Sequence, residues 1–179
     1  MIRAATLDDL DALAELEREC FRDDWLSRRQ FRYLLTRGQA LTLVATQRGR
    51  LCGYVLLVFR ANSTAARIYT IAVAAHDRRR GVGAALLTAA ERASRRRDCD
   101  RVRAEVRSDN RASLALFERN GYRPFGAYRG YYADGQDAVR VEKRVAPASQ
   151  PHACAACGSA SSRSLRQTRT IPTCFGPRR

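Results

Sequence analysis

The chain has 179 residues, 45% hydrophobic and 28% charged, enough to bury a core without disulfides or metal and too apolar for a disordered protein. No apolar run approaches the roughly 18 residues of a membrane span, and the acidic residues Asp8, Asp9, Asp11, Glu15, Glu17 and Glu19 exclude an amino-terminal secretory signal, so the sequence predicts a cytoplasmic protein. The net charge of +15 points to an anionic partner, whether nucleic acid, phosphorylated cofactor or acidic surface; the alternative is coding bias, because Lys143 is the only lysine and the arginine skew beside abundant alanine resembles that of a GC-rich bacterial genome.

Ile2–Ala4 opens the chain as a short apolar segment. Thr6 and Asp9 form a capping-box pattern with Asp in the Glu/Gln place. Leu7, Leu10, Leu13, Ala14 and Glu17 then run at helical spacing, with Leu16 and Cys20 widening the stripe. Ser27 and Gln30 repeat the start signal, Phe31, Leu34 and Leu35 give an apolar face, and Gly38 suits the helix stop. Residues 41–46 and 51–59 read as strands around the turn at 47–50, and 67–73 as a third strand. Residues 82–97 form a helix with Leu86, Leu87 and Ala90 inward. Residues 101–107 alternate Val102, Ala104 and Val106 against Arg101, Arg103, Glu105 and Arg107. Residues 110–120 form a helix with Leu114, Leu116 and Phe117 packed, closed by Gly121, and 122–128 and 138–145 are final strands. The order β-α-α-β-β-β-α-β-α-β-β predicts an α/β (α+β) domain, a mixed sheet with helices on both faces.

Composition changes after Val145. Residues 146–179 hold Ala, Ser, Pro, Arg and Cys in no periodic order and no acidic residue, which reads as a flexible basic tail. His152, Cys154, Cys157 and Cys174 form a partial zinc-ligand pattern that lacks a second paired knuckle, so no metal is predicted. Residues 166–177 faintly resemble the nucleophile region of double-glycine-type cysteine peptidases, with Gln167 and Cys174 in the functional places and no histidine after them in this sequence. Cys20, Cys52 and Cys99 are scattered singly, as small core residues in a reducing compartment are.

The most informative stretch is TIAVAAHDRRRGVGAALL, residues 70–87. A strand ends near Val73, a polar loop follows, and Gly81 and Gly83 open a helix. Glycines there allow close backbone approach and positive φ, and the unpaired N–H groups and dipole of the first helical turn attract an anion. Arg78, Arg79 and Arg80 add charge at the mouth. The plainer reading is a strand–helix turn with a solvated basic face. A dinucleotide fingerprint fails, because its third glycine is replaced by Leu86, and a P-loop fails for want of Gly-Lys-Ser/Thr.

With Arg78, Gly81 and Gly83 in this context, the chain resembles the GNAT superfamily of acetyl-CoA-dependent N-acetyltransferases, whose signature is Gln/Arg-x-x-Gly-x-Gly/Ala. EVRSDNRASLALFERNGYRPFG, residues 105–126, and YRGYYADGQDAVRVEKRV, residues 128–145, are similar to bacterial ribosomal-protein alanine N-acetyltransferases. The resemblance covers residues 1–145. It implies a GNAT-like, mostly antiparallel sheet and acetyl-CoA as acyl donor. Backbone groups of Ile71, Ala72 and Val73 are implied at the acetyl and pantetheine end. Arg78 begins the signature, and the run Arg79, Arg80, Gly81, Val82, Gly83 and Ala84 is implied at the pyrophosphate. Asn110 corresponds to a position beside the pantetheine arm and Glu105 to the general base. Phe117 stands where the family commonly has a tyrosine acid, and phenylalanine has no proton to give; Tyr131 and Tyr132 are the alternative donors, or simply line a peptide groove.

The chemistry agrees with those roles. An amine must be neutral to attack a thioester, a carboxylate can take its proton, and N–H groups near Val73 can meet the developing oxyanion. For Glu105 the plainer reading is a carboxylate balancing Arg103 and Arg107. Cys52 and Cys99 lie near no base in sequence, which favours direct transfer in a ternary complex over an acyl-enzyme. The expected acceptor is a primary amine, foremost a protein N-terminal α-amine. Two other readings stay open: a nucleic-acid-binding module using Arg78–Arg80, Arg95–Arg97 and the tail, and an acetyl-CoA-binding fold of weak catalysis, motivated by Phe117.

Overall fold

The protein is described from a computed structural model over residues 1–21 and 25–145. The tail, with His152, Cys154, Cys157, Gln167 and Cys174, lies outside the described residues. The elements are β1 (Ile2–Ala4), α1 (Leu10–Cys20), α2 (Arg28–Thr36), β2 (Ala40–Gln47), β3 (Arg50–Val58), β4 (Ala65–Val73), α3 (Val82–Arg95), β5 (Arg101–Arg107), α4 (Arg111–Arg119), β6 (Arg123–Tyr128) and β7 (Ala138–Arg144), with single 3-10 turns at Leu7–Asp9 and Ala75–Asp77. This is the predicted order.

The seven strands form one sheet in the order β1-β2-β3-β4-β5-β7-β6. Every neighbouring pair is antiparallel except β4 and β5, which the α3 crossover makes parallel. The β2–β3 hairpin turns through Arg48 and Gly49, both at positive φ, a pair of angles that matches the twist of the flanking strands.

Alternation along the central strands builds two cores. Leu43, Val55, Leu57, Ile68, Val102 and Ala104 face α3 and α4, meeting Leu86, Leu87, Ala90 and Phe117. Val44, Tyr54, Leu56 and Ala72 face the other way, meeting Leu10, Leu13 and Leu16 of α1 and Phe31 and Leu34 of α2. Helices therefore cover both faces, as the hydrophobic periodicities require.

Both predicted starts are present. The Thr6 N–H donates to the Asp9 carboxylate at 2.8 Å, and the Gln30 N–H donates to the Ser27 hydroxyl at 3.3 Å. Two expectations are corrected. Leu7 sits in the 3-10 turn ahead of α1 and stays 51% exposed, because the tighter turn rotates it off the α1 stripe. Gly38 does not stop α2: the helix ends at Thr36, and Arg37 leaves it in an extended conformation with φ −102°, which needs no glycine. Gly121, at φ +84° after α4, does serve in that way.

Candidate active site

The sheet opens where β4 and β5 part. They pair only from Ala65–Arg101 to Ile68–Ala104. Beyond that, β4 runs on to Val73 against β3 alone, and β5 runs on to Arg107 against β7 alone. A register slip assists the parting: Leu57 pairs with Ile68 and Leu56 with Thr70, leaving Tyr69 as an extra residue on β4, and such a bulge bends its strand. The Ala74 N–H donates to the Cys52 carbonyl at 2.9 Å. By alternation, the main-chain groups of Ile71 and Val73 turn to the opposite edge, toward the gap, while those of Ala72 turn to β3. The Val73 backbone carbonyl accepts from Arg78 Nε at 3.1 Å and from the Cys20 thiol at 3.6 Å.

The loop after β4 is pinned by a buried carboxylate. Asp77, 1% exposed, lies 3.1 Å from Arg50, 3.0 Å from His76 and 3.7 Å from Arg80. Arg78, Arg79 and Arg80 are exposed around it. The two glycines have different duties. Gly81 has φ +80° with nothing within 4 Å of an added Cβ, so backbone conformation is what requires it. An added Cβ on Gly83 would lie 3.0 Å from Leu116 Cδ2, so Gly83 admits the close contact of α3 with α4. The first helical bond runs from the Ala85 N–H to the Gly81 carbonyl at 3.0 Å. The N–H groups of Val82, Gly83 and Ala84 have no intrahelical carbonyl and suit the oxygens of a pyrophosphate.

Glu105 occupies the opposite side of the gap. Val102, Ala104 and Val106 point into the α3/α4 core, which turns Arg103, Glu105 and Arg107 to the other face. The expected partners of Glu105 are engaged elsewhere: Arg103 pairs with Glu142 at 3.0 Å, and Arg107 with Asp109 and Asp134 at 3.1 and 2.6 Å. Glu105 pairs instead with Arg67, Nε to Oε2 at 2.6 Å. The other arm of Arg67 donates to the Tyr131 hydroxyl at 2.9 Å. Burial works against the Arg67 charge, but Glu105 and Tyr131 outweigh it and hold the guanidinium above its ordinary pKa. Arg67 escaped the reading of the sequence, although its one signal was there: a lone charge between Ala66 and Ile68 in an apolar strand.

These residues line a cleft of about 1600 Å³ walled by the end of α2, the end of β3 and the β6–β7 loop. Tyr131 stacks on Tyr128 with centroids 5.5 Å apart and meets Tyr132 edge-on at 5.2 Å. Arg107 lies 4.8 Å from the Tyr132 ring centre. Glu105, Tyr131 and Tyr132 thus share one cleft.

Asn110 and Phe117 have structural duties. The Asn110 carbonyl oxygen accepts from the Ser113 N–H at 3.0 Å and caps α4. Phe117 is 1% exposed and meets Tyr122 edge-on at 5.0 Å. Burial, reinforced by Glu91, pushes the neighbouring Tyr122 phenol far above its ordinary range. The two arginine groups proposed for nucleic acid flank α3, 14 residues long and so about 21 Å from end to end, and do not form one stripe. Among the described residues no cluster of three or more His, Cys, Asp or Glu could hold a metal ion, and no helix is long and apolar enough to cross a membrane.

The sequence model of the Acetyltransferase (GNAT) family matches residues 10–122. The chain belongs to the GNAT acetyltransferase family. It is an acyltransferase, and acetyl-CoA is its acyl donor. Two curated relatives are similar over most of their length. The catalytic subunit of the N-terminal acetyltransferase A complex of Arabidopsis thaliana is 32% identical over 80% of this chain and 77% of its own. A putative bS18-alanine N-acetyltransferase of Bacillus subtilis is 30% identical over 77% of this chain and 91% of its own. Among solved structures, the ribosomal-protein-S18-alanine N-acetyltransferase of Escherichia coli superposes with a TM-score of 0.73 at 25% identity, over 84% of this chain and 96% of that one. The parted strands and the α3 amino terminus are therefore parts of a GNAT fold.

Proposed function

We propose that this GNAT enzyme acetylates the α-amine of a protein or peptide N-terminus by direct transfer within a ternary complex. The observation that carries the reading is Glu105, held by Arg67 in a cleft roomy enough for a peptide end and bordering the gap between β4 and β5. The names of the plant and bacterial relatives support it.

Acetyl-CoA supplies a thioester whose carbonyl carbon is open to an uncharged amine. The α3 amino terminus, with Val82, Gly83 and Ala84, holds its pyrophosphate, and Arg78, Arg79 and Arg80 add charge around the same loop. Glu105 takes the proton from the incoming ammonium, directly or through a water. The Val73 N–H donates to the oxygen on which charge develops. The Tyr131 hydroxyl accepts from Arg67 and so keeps its own proton to give to the departing thiolate, a role that the buried Phe117 cannot fill. Residues 1–145 suffice for all of these parts. The free thiols Cys20, Cys52 and Cys99 fit a reducing compartment such as the cytoplasm.

The test is mass spectrometry of peptides incubated with enzyme and acetyl-CoA, one with a free N-terminus and one blocked there but carrying an internal lysine. Acetylation of the free N-terminus alone is the expected result, with kcat falling on the order of a hundredfold or more in Glu105→Gln. Acetylation of the lysine alone, or full activity in Glu105→Gln, overturns the reading.

A further inference from the structure

Apart from Glu105 and Arg67, the charged residues lining the cleft have no part in the acetyl transfer proposed above. Among the described residues, six arginines line it, Arg37, Arg60, Arg67, Arg103, Arg129 and Arg140, against a single carboxylate, Glu105. Arg67 is balanced by Glu105 and Arg103 by Glu142. The other four form no ion pair with any carboxylate among the described residues. They come from separate elements: Arg37 follows α2, Arg60 follows β3, Arg129 follows β6, and Arg140 lies in β7 with Glu105 as its cross-strand partner.

Arg140 alone of the four is half-buried. Its guanidinium carbon lies 4.4 Å from the Phe125 ring centre and 4.5 Å from that of Tyr128, and its Nε is buried without a hydrogen-bond partner. Two aromatic faces therefore hold a half-buried cation in place, and no carboxylate among the described residues forms an ion pair with it. Arg37 lies over Tyr33 at 4.6 Å in the same manner on the opposite wall. A cleft whose fixed charges are cationic and whose walls are aromatic repels a basic chain and attracts an anionic one.

We infer that the acceptor is an acidic peptide, one with Asp or Glu in the residues that follow its N-terminal amine, and that Arg37, Arg129 and Arg140 determine this specificity. The inference rests on the cleft being the acceptor site for N-terminal amines. Acidic side chains meet the arginines, and the amine, alone in carrying positive charge, meets Glu105, the only carboxylate among the described residues that line the cleft.

The experiment compares kcat/KM for three peptides that share an N-terminal alanine and carry acidic, neutral or basic residues at positions two to five. It is run on the full chain at low and high salt, and on the exposed-site double variant Arg37→Gln/Arg129→Gln, with Arg140→Gln beside it. The acidic peptide is expected to exceed the basic one by roughly tenfold or more. That ratio should shrink as added salt shortens the screening length from about 10 Å toward 3 Å, and in both variants. A basic peptide used as well as the acidic one, or a ratio indifferent to salt and to both variants, overturns the inference while leaving N-terminal acetylation standing. Acetyl-CoA binding without transfer to any of the three overturns the N-terminal reading itself and the inference with it. A short RNA that blocks transfer more strongly than an N-blocked acidic peptide assigns the cleft to nucleic acid and overturns the peptide.

Discussion

Arg67 and Glu105 clasp one another across the point where the sheet opens, Nε to Oε2 at 2.6 Å. The last parallel pair is Ile68 with Ala104, so Glu105 is the first residue of β5 beyond it. The pair closes the base of the gap, and the second arm of Arg67 carries the constraint on to Tyr131.

Arg67→Met removes both contacts and leaves Glu105 without an oriented partner. The expected result is a kcat lower by on the order of tenfold to a hundredfold, with acetyl-CoA affinity unchanged in calorimetry. Arg67→Lys keeps the charge but reaches one partner at a time, so a partial recovery of kcat is expected. An unchanged kcat in Arg67→Met removes Arg67 from the positioning of the base.

Tyr131 and Tyr132 are neighbours with different contacts. Only Tyr131 receives the hydrogen bond from Arg67, whereas Tyr132 lies with its ring under Arg107. Tyr131→Phe is expected to lower kcat by about tenfold or more and Tyr132→Phe to lower it far less, in steady-state assays with one peptide. The reverse order assigns the proton donor to Tyr132.

Gly81 and Gly83 fail for different reasons when changed. Gly81→Ala forces a side chain into φ +80°, a strain of roughly 1–2 kcal/mol, and distorts the loop proposed to hold the pyrophosphate. Gly83→Val drives its side chain into Leu116, already 3.0 Å from a bare Cβ, and pushes α3 from α4. Both weaken acetyl-CoA binding in calorimetry. Leu116→Ala is expected to restore affinity to the Gly83 variant and not to the Gly81 variant, a coupling that a double-mutant cycle reads directly.

Glu17 is buried in the α1/α2 core, where it accepts from the Leu26 N–H at 3.0 Å and from the Tyr54 hydroxyl. It ties the segment leading into α2 to the sheet. Glu17→Ala leaves both donors buried without this acceptor, at about 1–3 kcal/mol each. Denaturant unfolding should register a large loss, and Glu17→Gln, which keeps an acceptor oxygen, a smaller one.

Asp9 gives a pH signature. Arg3 grips both of its oxygens at 2.7 Å and, with the Thr6 N–H, holds its carboxyl below the usual aspartate value. A folded pKa below the unfolded one means stabilisation that is complete above about pH 4 and lost as the pH falls through the folded value. The melting temperature of Asp9→Asn should therefore lie below that of the unmutated protein at pH 7, and the gap should narrow on acidification below about pH 4.

Local chemistry was legible in the sequence wherever neighbours along the chain decide the outcome. The caps at Thr6 and Ser27, the hairpin turn at Arg48–Gly49, the alternation of β5 and the glycine-opened start of α3 all depend on residues a few positions apart, so the element order and the loop that opens α3 could be read directly. The same periodicities placed helices on both faces, because an amphipathic helix must bury its stripe against a sheet. The partner of Glu105 could not be read, because Arg67 lies 38 positions away and meets it only through the register of a parallel crossover. Sequence offered Arg103 and Arg107 as the nearest charges, and the pleat set both beside other carboxylates. The parting of β4 and β5, the packing duty of Gly83 and the gathering of arginines from four separate elements into one cleft share that origin. Each is fixed by strand register and helix packing between distant segments, where many arginines compete for few carboxylates and only tertiary structure decides which remain unpaired.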